Sequence, residues 1–402
     1  MERELLAREH RVLVLTSTSP HRGKDPAGLT VSRWPVLRDR AGQLRGYLPY
    51  LSFDLPLLWR VLSRRRPGAF LVEPPPTTGA VMRILAALLR RPYVMFAPDV
   101  WSEAARSAGA ARAAVWLLRA LERFALRGAS HVVAVTEEAA VLLRAMGARA
   151  LSVVPNGVDT SLFFPGQEGP SREELTRAGV IGPYLIYAGT ASEFQGADIF
   201  ARAAAGLRGC QVVFIGQGSD WPLLKKISAE LAGSAPASSE ASNGELKSGA
   251  APNEQLTHRP VVVLDQMSPA EVARWLTGAS AALVSLRPES GCDTAYPTKV
   301  LAALASGVPV LYAGVGPARM DLADPMLGTV VDYDVDAVAK AMEQIAADLR
   351  SKAAAKQTLP PAAYGEDVPS GYRHQWVVEN RSTAAVGRAV ADILEQAAAS
   401  VS

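Results

Sequence analysis

The stretch SLRPESGCDTAYPTKVLAALASGVPVLYAG, Ser285 to Gly314, sets a strand, a polar loop, a short helix and a second strand in immediate succession. The strand ends at Leu286, and the loop carries Arg287, Glu289, Ser290, Asp293 and Thr294. Pro297 suits the first helical position, where its missing N–H costs nothing, and Gly307 suits a left-handed helix end. A helix that begins in a polar loop offers free N–H groups and a positive dipole end to an anion, and Lys299 adds a full charge in the first turn. In an open α/β sheet the loop beyond a strand's carboxyl end is where ligands bind. An ordinary strand–helix–strand unit with a solvated Lys299 has the same pattern, so the rest of the chain must decide.

Upstream, five apolar runs read as strands: Arg11–Ser17, Ala69–Pro74, Tyr93–Pro98, His131–Thr136 and Ala150–Pro155. Helical patterns lie between them at 54–63, 77–90, 110–126 and 137–146, after a short one holding Leu5 and Leu6. Short apolar strands alternating with helices predict a parallel sheet covered on both faces. PNGVDTSLFFPG (Pro155–Gly166) interrupts the alternation, which restarts with strands at Tyr184–Gly189, Gln211–Gly218, Val261–Gln266, Ala281–Leu286, Pro309–Gly314 and Gly328–Tyr333. Helices are predicted at 197–207, 220–232, 269–278, 297–306 and 335–349. Two doubly wound domains follow: residues 1–160 and 161–373. The second contains a Ser/Ala/Gly-rich insertion, 233–258, that reads as mobile. A second irregular stretch, 356–371, precedes a last helix from about residue 374, within a segment 374–402 that is long enough to cross back to the first domain.

A chain of 402 residues is too long for one compact core. Its longest apolar runs fall far short of a bilayer span, MERELLAREH is no cleavable leader, and two cysteines make no disulfide framework. The cytoplasm is the default compartment. Charge is uneven: residues 1–165 hold 23 Lys and Arg against 13 Asp and Glu, and the remainder 19 against 26. Arg64, Arg65, Arg66, Arg90 and Arg91 flank apolar helices, which fits attraction to the anionic inner face of a cell membrane and equally an Arg-rich solubilising surface. The excess is too diffuse for a nucleic-acid footprint.

With LAREHRVLVLTS, FAPDVWSE, VVPNGVDTSLFFP, YAGTASEFQGAD, VVFIGQG and PTKVLAALASGVPVLYAG in this order, the chain resembles the group 1 (family 4) retaining glycosyltransferases over nearly its whole length. Gln195–Gly196, Asp99–Trp101 and the Pro-Thr-Lys resemble the subgroup that adds N-acetylated or deoxy amino sugars, fucosamine transferases among them, to envelope polysaccharides. The resemblance implies a GT-B fold, two Rossmann-like doubly wound domains facing across a cleft. It also implies a nucleotide-sugar donor, UDP- or GDP-linked, used as substrate with no separate cofactor and no metal. The acceptor is then an envelope glycan, a lipid-linked species or a small molecule. A departing diphosphate gains charge and needs pre-oriented donors and cations. The donor-side residues are Gly189, Thr190, Gln195, Gly196, Gly216, Met267, Glu289, Thr298 and Lys299. Asp99 contacts acceptor or donor sugar, or else caps the helix near Trp101. Asp332 and Asp334 read as helix caps rather than metal ligands.

The chain departs from its relatives at several points. Where they place an Arg after the first glycine and a Lys before the second, this chain has Thr190 and Gln195. Their paired glutamates fall on Thr294 and Ala302, and Ala302 accepts no hydroxyl; Glu289 is either the substitute carboxylate or a solvated one. The chain also starts inside the helix at Leu5–Glu9 that relatives reach after a first strand and a glycine loop, which predicts a gap in the first domain's strand order. A degenerate GT-B protein serving as partner or scaffold, and a sugar-nucleotide epimerase, are the competing functional readings.

Overall fold

A computed structural model describes residues 1–18, 25, 27–38, 47–107, 109–233, 259–358 and 368–400. The insertion predicted at 233–258 lies outside the described residues from 234 onward. The chain divides into two compact units, Met1–Gly157 with Arg381–Ser402, and Val158–Asn380.

The first unit runs α1 (Glu2–Ala7), β1 (Leu13–Ser17), β2 (Thr30–Trp34), α2 (Tyr47–Leu62), β3 (Phe70–Val72), α3 (Pro76–Leu89), β4 (Tyr93–Ala97), α4 (Trp101–Ser107), α5 (Arg112–Gly128), β5 (His131–Ala134), α6 (Glu137–Met146) and β6 (Leu151–Val153). Its parallel strands form two sheets, β1 with β2, and β3-β4-β5-β6. Strand β2 escapes sequence reading because TVSRW has no apolar run; its partner β1 holds it in register from Leu13–Thr30 to Ser17–Trp34. Alternate residues of β4 and β5 face opposite layers, as strand geometry requires. Tyr93, Met95, Val132 and Ala134 pack with Leu57, Met82, Leu85 and Leu126 from the helices. Val94 and Val133 face the other way.

The second unit continues with α7 (Arg172–Ala178), β7 (Tyr184–Thr190), α8 (Asp198–Ala203), β8 (Gln211–Gln217), α9 (Trp221–Gly233), β9 (Val261–Leu264), α10 (Pro269–Thr277), β10 (Ala281–Leu286), α11 (Lys299–Ala305), β11 (Val310–Gly314), α12 (Ala318–Asp321), β12 (Gly328–Val331), α13 (Val335–Thr358) and α14 (Val368–Asn380). One parallel sheet has the order β12-β11-β10-β7-β8-β9. That is the doubly wound dinucleotide order, with the reversal between β10 and β7. Tyr184, Ile186, Val213, Ile215, Val284 and Tyr312 bury one face against α10, α11 and α14. Leu185, Tyr187, Val212, Phe214 and Leu283 bury the other against α8, α9 and α13. Helix α13 runs nine residues past its predicted end at 349, and its buried stripe, Val338, Met342 and Ala346, keeps the 3.6 period.

The chain's last helix, α15 (Thr383–Ala399), sends Val390, Ile393 and Leu394 against Val94 and Val133 of the first unit. The single helix predicted from residue 374 is thus two, separated at Arg381–Ser382. The Ser382 side chain accepts the N–H of Ala385 and starts the second. Arg8 ties α1 to this helix through Asp392 (2.6 Å) and Glu395 (3.0 Å).

In the second sheet, a side-chain carbon at Gly216 would stand 2.1 Å from the Gly189 carbonyl oxygen, and the residue has φ 149. We predict that Gly216→Ala lowers stability by at least about 2 kcal/mol, since both strain and overlap act. Gly206→Ala, which meets nothing within 4 Å, should change it by less than about 1 kcal/mol. Thermal melting of both variants checks the contrast.

Candidate functional site

Strand β7 pairs with β8 along its full length, Tyr184–Gln211 to Thr190–Gln217, but with β10 only at Ala281–Leu185 and Ala282–Ile186. The carboxyl halves of β7 and β10 are thus not paired to each other at the strand-order reversal, where sheets of this order seat ligands. Helix α11 begins at Lys299, two residues after Pro297, and the Val300 N–H still closes a turn on the Pro297 carbonyl (3.0 Å). Gly307 takes φ 78 at the other end.

Lys299 reaches across this crevice. Its neighbours Val300 and Leu301 pack on one sheet face, yet its Nζ meets Tyr187, whose ring belongs to the opposite face. Nζ donates to the Tyr187 hydroxyl (2.5 Å) and the Thr190 carbonyl (3.0 Å), and lies 4.0 Å from the ring centroid. The Tyr187 hydroxyl donates in turn to Thr190 (2.8 Å). Part of the Lys299 stem meets solvent, but the ammonium is enclosed, and burial pushes its pKa down to about 7. The ring face and the two acceptors work in the opposite direction and favour the charged form. A side-chain carbon at Gly189 would stand 3.6 Å from Lys299 Cε, so glycine and cation are neighbours.

Arg287 is a residue that sequence reasoning left out of the site; its only signal was its position, directly beyond β10. Its Nη2 pairs with Asp198 (3.2 Å) and its Nε donates to the Tyr333 hydroxyl (3.3 Å), which donates to the Gly196 carbonyl (2.8 Å). Asp198 is shared with Arg202 (3.0 Å), so two cations face one carboxylate. At Gly196, with φ 57, a side-chain carbon would lie 2.0 Å from the Tyr333 hydroxyl and 2.9 Å from Arg287 Nε. Lys299 therefore stands beside Gly189 and Thr190, and Arg287 over Gly196, the residue after Gln195. These are the two places where the family resemblance places cations that the sequence lacks.

The remaining donor-side residues differ in what they can do. Gln195 Oε1 accepts the Ser192 N–H (3.0 Å) and the Ser192 hydroxyl, fixing the turn before Gly196. The space at Gly216 is filled by the Gly189 carbonyl, so the strand pairing itself requires glycine there. Met267 is half-buried beside Ser268, which caps α10 in a capping box with Glu271. Thr298 is exposed and precedes α11 without a side-chain cap, and Glu289 is exposed at φ 59. Ala302 packs into the core. Ser290 Oγ is buried without a hydrogen-bond partner among the described residues.

In the first unit, Asp99 lies beyond β4 and lines a cavity of about 10 Å³ with Pro74, Met95, Trp101 and Glu122. The helix near Trp101 is not capped by Asp99. Glu122, buried on α5, accepts the N–H groups of Trp101 (2.7 Å) and Ser102 (3.1 Å). Sequence reading missed this because the cap comes from 21 residues away. Asp99 is exposed as a residue, yet its carboxyl is crowded enough that burial pushes its pKa up. Asp334 caps α13 through the Ala337 N–H (2.9 Å), and the described residues hold no metal-binding cluster.

Such a site on two parallel doubly wound units defines a protein of the GT-B class. Residues 1–157 match the glycosyl transferase 4-like domain, and 182–348 match the glycosyl transferases group 1 domain. Together they place the chain among the group 1 glycosyltransferases. No curated protein matches the sequence significantly. Among solved structures it is similar to sucrose-phosphate synthase from Thermosynechococcus elongatus, at TM-score 0.68 and 16% identity over 98% of this chain and 91% of that one. HepE of Anabaena in complex with UDP aligns at 0.62 and 13% over 96% and 100%. WaaG, a glycosyltransferase involved in lipopolysaccharide biosynthesis, aligns at 0.66 and 14% over 98% and 93%.

Two predictions follow from this geometry. Removing the cap, Glu122→Ala, should cost about 1–3 kcal/mol, since it strands two N–H groups, whereas Asp99→Ala should leave the melting temperature nearly unchanged and lower activity; paired melting and activity assays check both. For Lys299, an ammonium titrating near pH 7 is largely neutral at pH 8, and a bound phosphate would raise its pKa again. Nucleoside diphosphate affinity should therefore fall as pH rises from 7 to 9, with proton uptake on binding. Calorimetry in buffers of different ionisation enthalpy reads the uptake, and Lys299→Ala should abolish it.

Proposed function

We propose that the protein transfers a sugar, with retention, from a UDP- or GDP-linked donor to a hydroxyl of a glycan, lipid-linked or small-molecule acceptor. The observation that carries this reading is the pair of cations, Lys299 and Arg287, standing beside Gly189 and Gly196 at the strand-order reversal. The donor diphosphate binds there, with the Gly189 and Gly196 backbones free of side chains and the Ser290 hydroxyl as a further donor. As the glycosidic bond to the diphosphate breaks, charge grows on the leaving oxygen. Fixed cations in a site partly closed to water stabilise that charge more than the ground state. Met267 and its neighbours lie where the base is read, Thr298 and Glu289 border the sugar, and Asp99 contacts the acceptor hydroxyl or the transferred sugar.

HepE is solved with UDP and with UDP-glucose, which supports a nucleotide donor. The involvement of WaaG in lipopolysaccharide biosynthesis supports an envelope acceptor. The transferred group is, on the motif resemblance, an N-acetylated or deoxy amino sugar.

Calorimetric titration with UDP, GDP and their sugars tests the proposal. Lys299→Ala and Arg287→Ala should each weaken diphosphate binding by about 1.5–3 kcal/mol, the range for hydrogen bonds to charged groups, with little change in melting temperature for Lys299→Ala. Nucleotide binding without turnover would overturn the transferase reading. An unaltered dissociation constant in both variants would place the phosphate elsewhere.

A further inference from the structure

Helices α2, α3 and α5 form one layer of the first unit, with α3 between the other two. The outward side of this layer is unusual for a surface in water. Every exposed residue of α2 with a described side chain is Leu or Trp: Leu48, Leu51, Leu55 (63% exposed), Trp59 (74%) and Leu62. They recur at spacings of three and four, one stripe of the helix, where a surface helix ordinarily turns polar side chains outward. The same helix buries Leu57 and Val61 inward, together with Asp54 and Arg60, so its charged side chains are the ones turned away from solvent. Ile84 and Leu88 (67%) continue the patch on α3, and Trp116 (71%) and Phe124 on α5.

Around this patch the charge has one sign. The segments 47–68, 76–92 and 112–128 hold eleven arginines and two carboxylates, Asp54 and Glu122. Both carboxylates are buried. Arg83, Arg119, Arg123 and Arg127 line an open groove of about 510 Å³ with Trp116 and Phe124. Arg83 stacks on the Phe124 ring, 4.1 Å to its centroid, and also donates to the Phe124 carbonyl.

We propose that the α2–α3–α5 layer docks on an anionic phospholipid bilayer, with the α2 stripe among the upper acyl chains and the α5 groove taking lipid phosphates. Charge complementarity decides the occupant. Arg60 is buried, so a second copy would set the other ten arginines against the same ten, whereas an anionic bilayer meets them with phosphates at about 1 kcal/mol per Lys or Arg near the surface. Tryptophan at the edge of such a patch is in its preferred interfacial setting. No described helix is long and apolar enough to cross the membrane, so the contact is peripheral. The donor site plays no part in this inference.

The test is flotation of the whole protein with vesicles of phosphatidylcholine alone or with about 30% phosphatidylglycerol, and tryptophan quenching by bromine-labelled acyl chains. Binding is expected only to the anionic vesicles, with quenching of Trp59 and Trp116. It should fall at least tenfold in Leu55→Gln/Trp59→Gln and in Arg119→Gln/Arg123→Gln/Arg127→Gln, while the corresponding triple Lys variant retains it. These side chains are exposed, so unchanged melting temperatures separate lost docking from lost folding. Millimolar inorganic phosphate should not displace the protein. Equal binding to neutral vesicles, unquenched adsorption, displacement by phosphate, or a dimer that the same substitutions dissociate would each overturn the proposal.

Discussion

Strand β7 is paired along its whole length on one side and only at its start on the other, and the second unit's chemistry depends on that asymmetry. Two fully paired neighbours would close the sheet and leave no room at its carboxyl edge. With β10 no longer paired to β7 beyond Ala282, a side chain from the α11 face can pass to Tyr187 on the other. Lys299 does so, and it meets three partners already fixed by the sheet: a ring face, a hydroxyl and a carbonyl. The ammonium is thereby held in one place by dipoles that the strands have already oriented.

The second cation comes from the same chain segment. Arg287 follows β10 directly, its own N–H bonded to the Phe194 carbonyl (2.9 Å), and this bond sets the guanidinium near Asp198, Tyr333 and Gly196. The residues between Arg287 and Lys299 form one loop, so a single segment supplies positive charge to two glycines that belong to different positions on β7 and its following turn. Thr190 and Gln195 are left with other tasks: one offers its carbonyl to Lys299 and Tyr187, the other ties down Ser192.

The first unit shows the same economy with carboxylates. Glu122 is buried, which would be costly for an isolated charge, and two backbone N–H groups of α4 offset it. Spending that carboxylate inward, like Asp54 with Thr78 (2.5 Å), leaves the outer side of the helix layer with arginine alone. Surface character and interior satisfaction are therefore coupled through the same two acids.

Much of this was legible in the sequence. Strands with apolar runs, such as Tyr93–Ala97 and Ala281–Leu286, declare themselves because both faces are buried and nearly every residue is apolar, Ser285 being the exception. Gly307 at a left-handed helix end and Lys299 at the opening of α11 follow from local rules that need no tertiary partner. Strand β2 and the Glu122 cap did not, since TVSRW is a strand only because β1 lies beside it, and a cap 21 residues distant has no local pattern. The role of Arg287 was hidden for the same reason: a sequence shows that an arginine follows a strand, not that a tyrosine two residues beyond β12 and an aspartate from α8 will hold it over a particular glycine. Periodicity and turn chemistry act between near neighbours and are written in the chain. Which charges meet is settled only by the pairing of strands far apart in sequence, because electrostatic partners are chosen by distance in space.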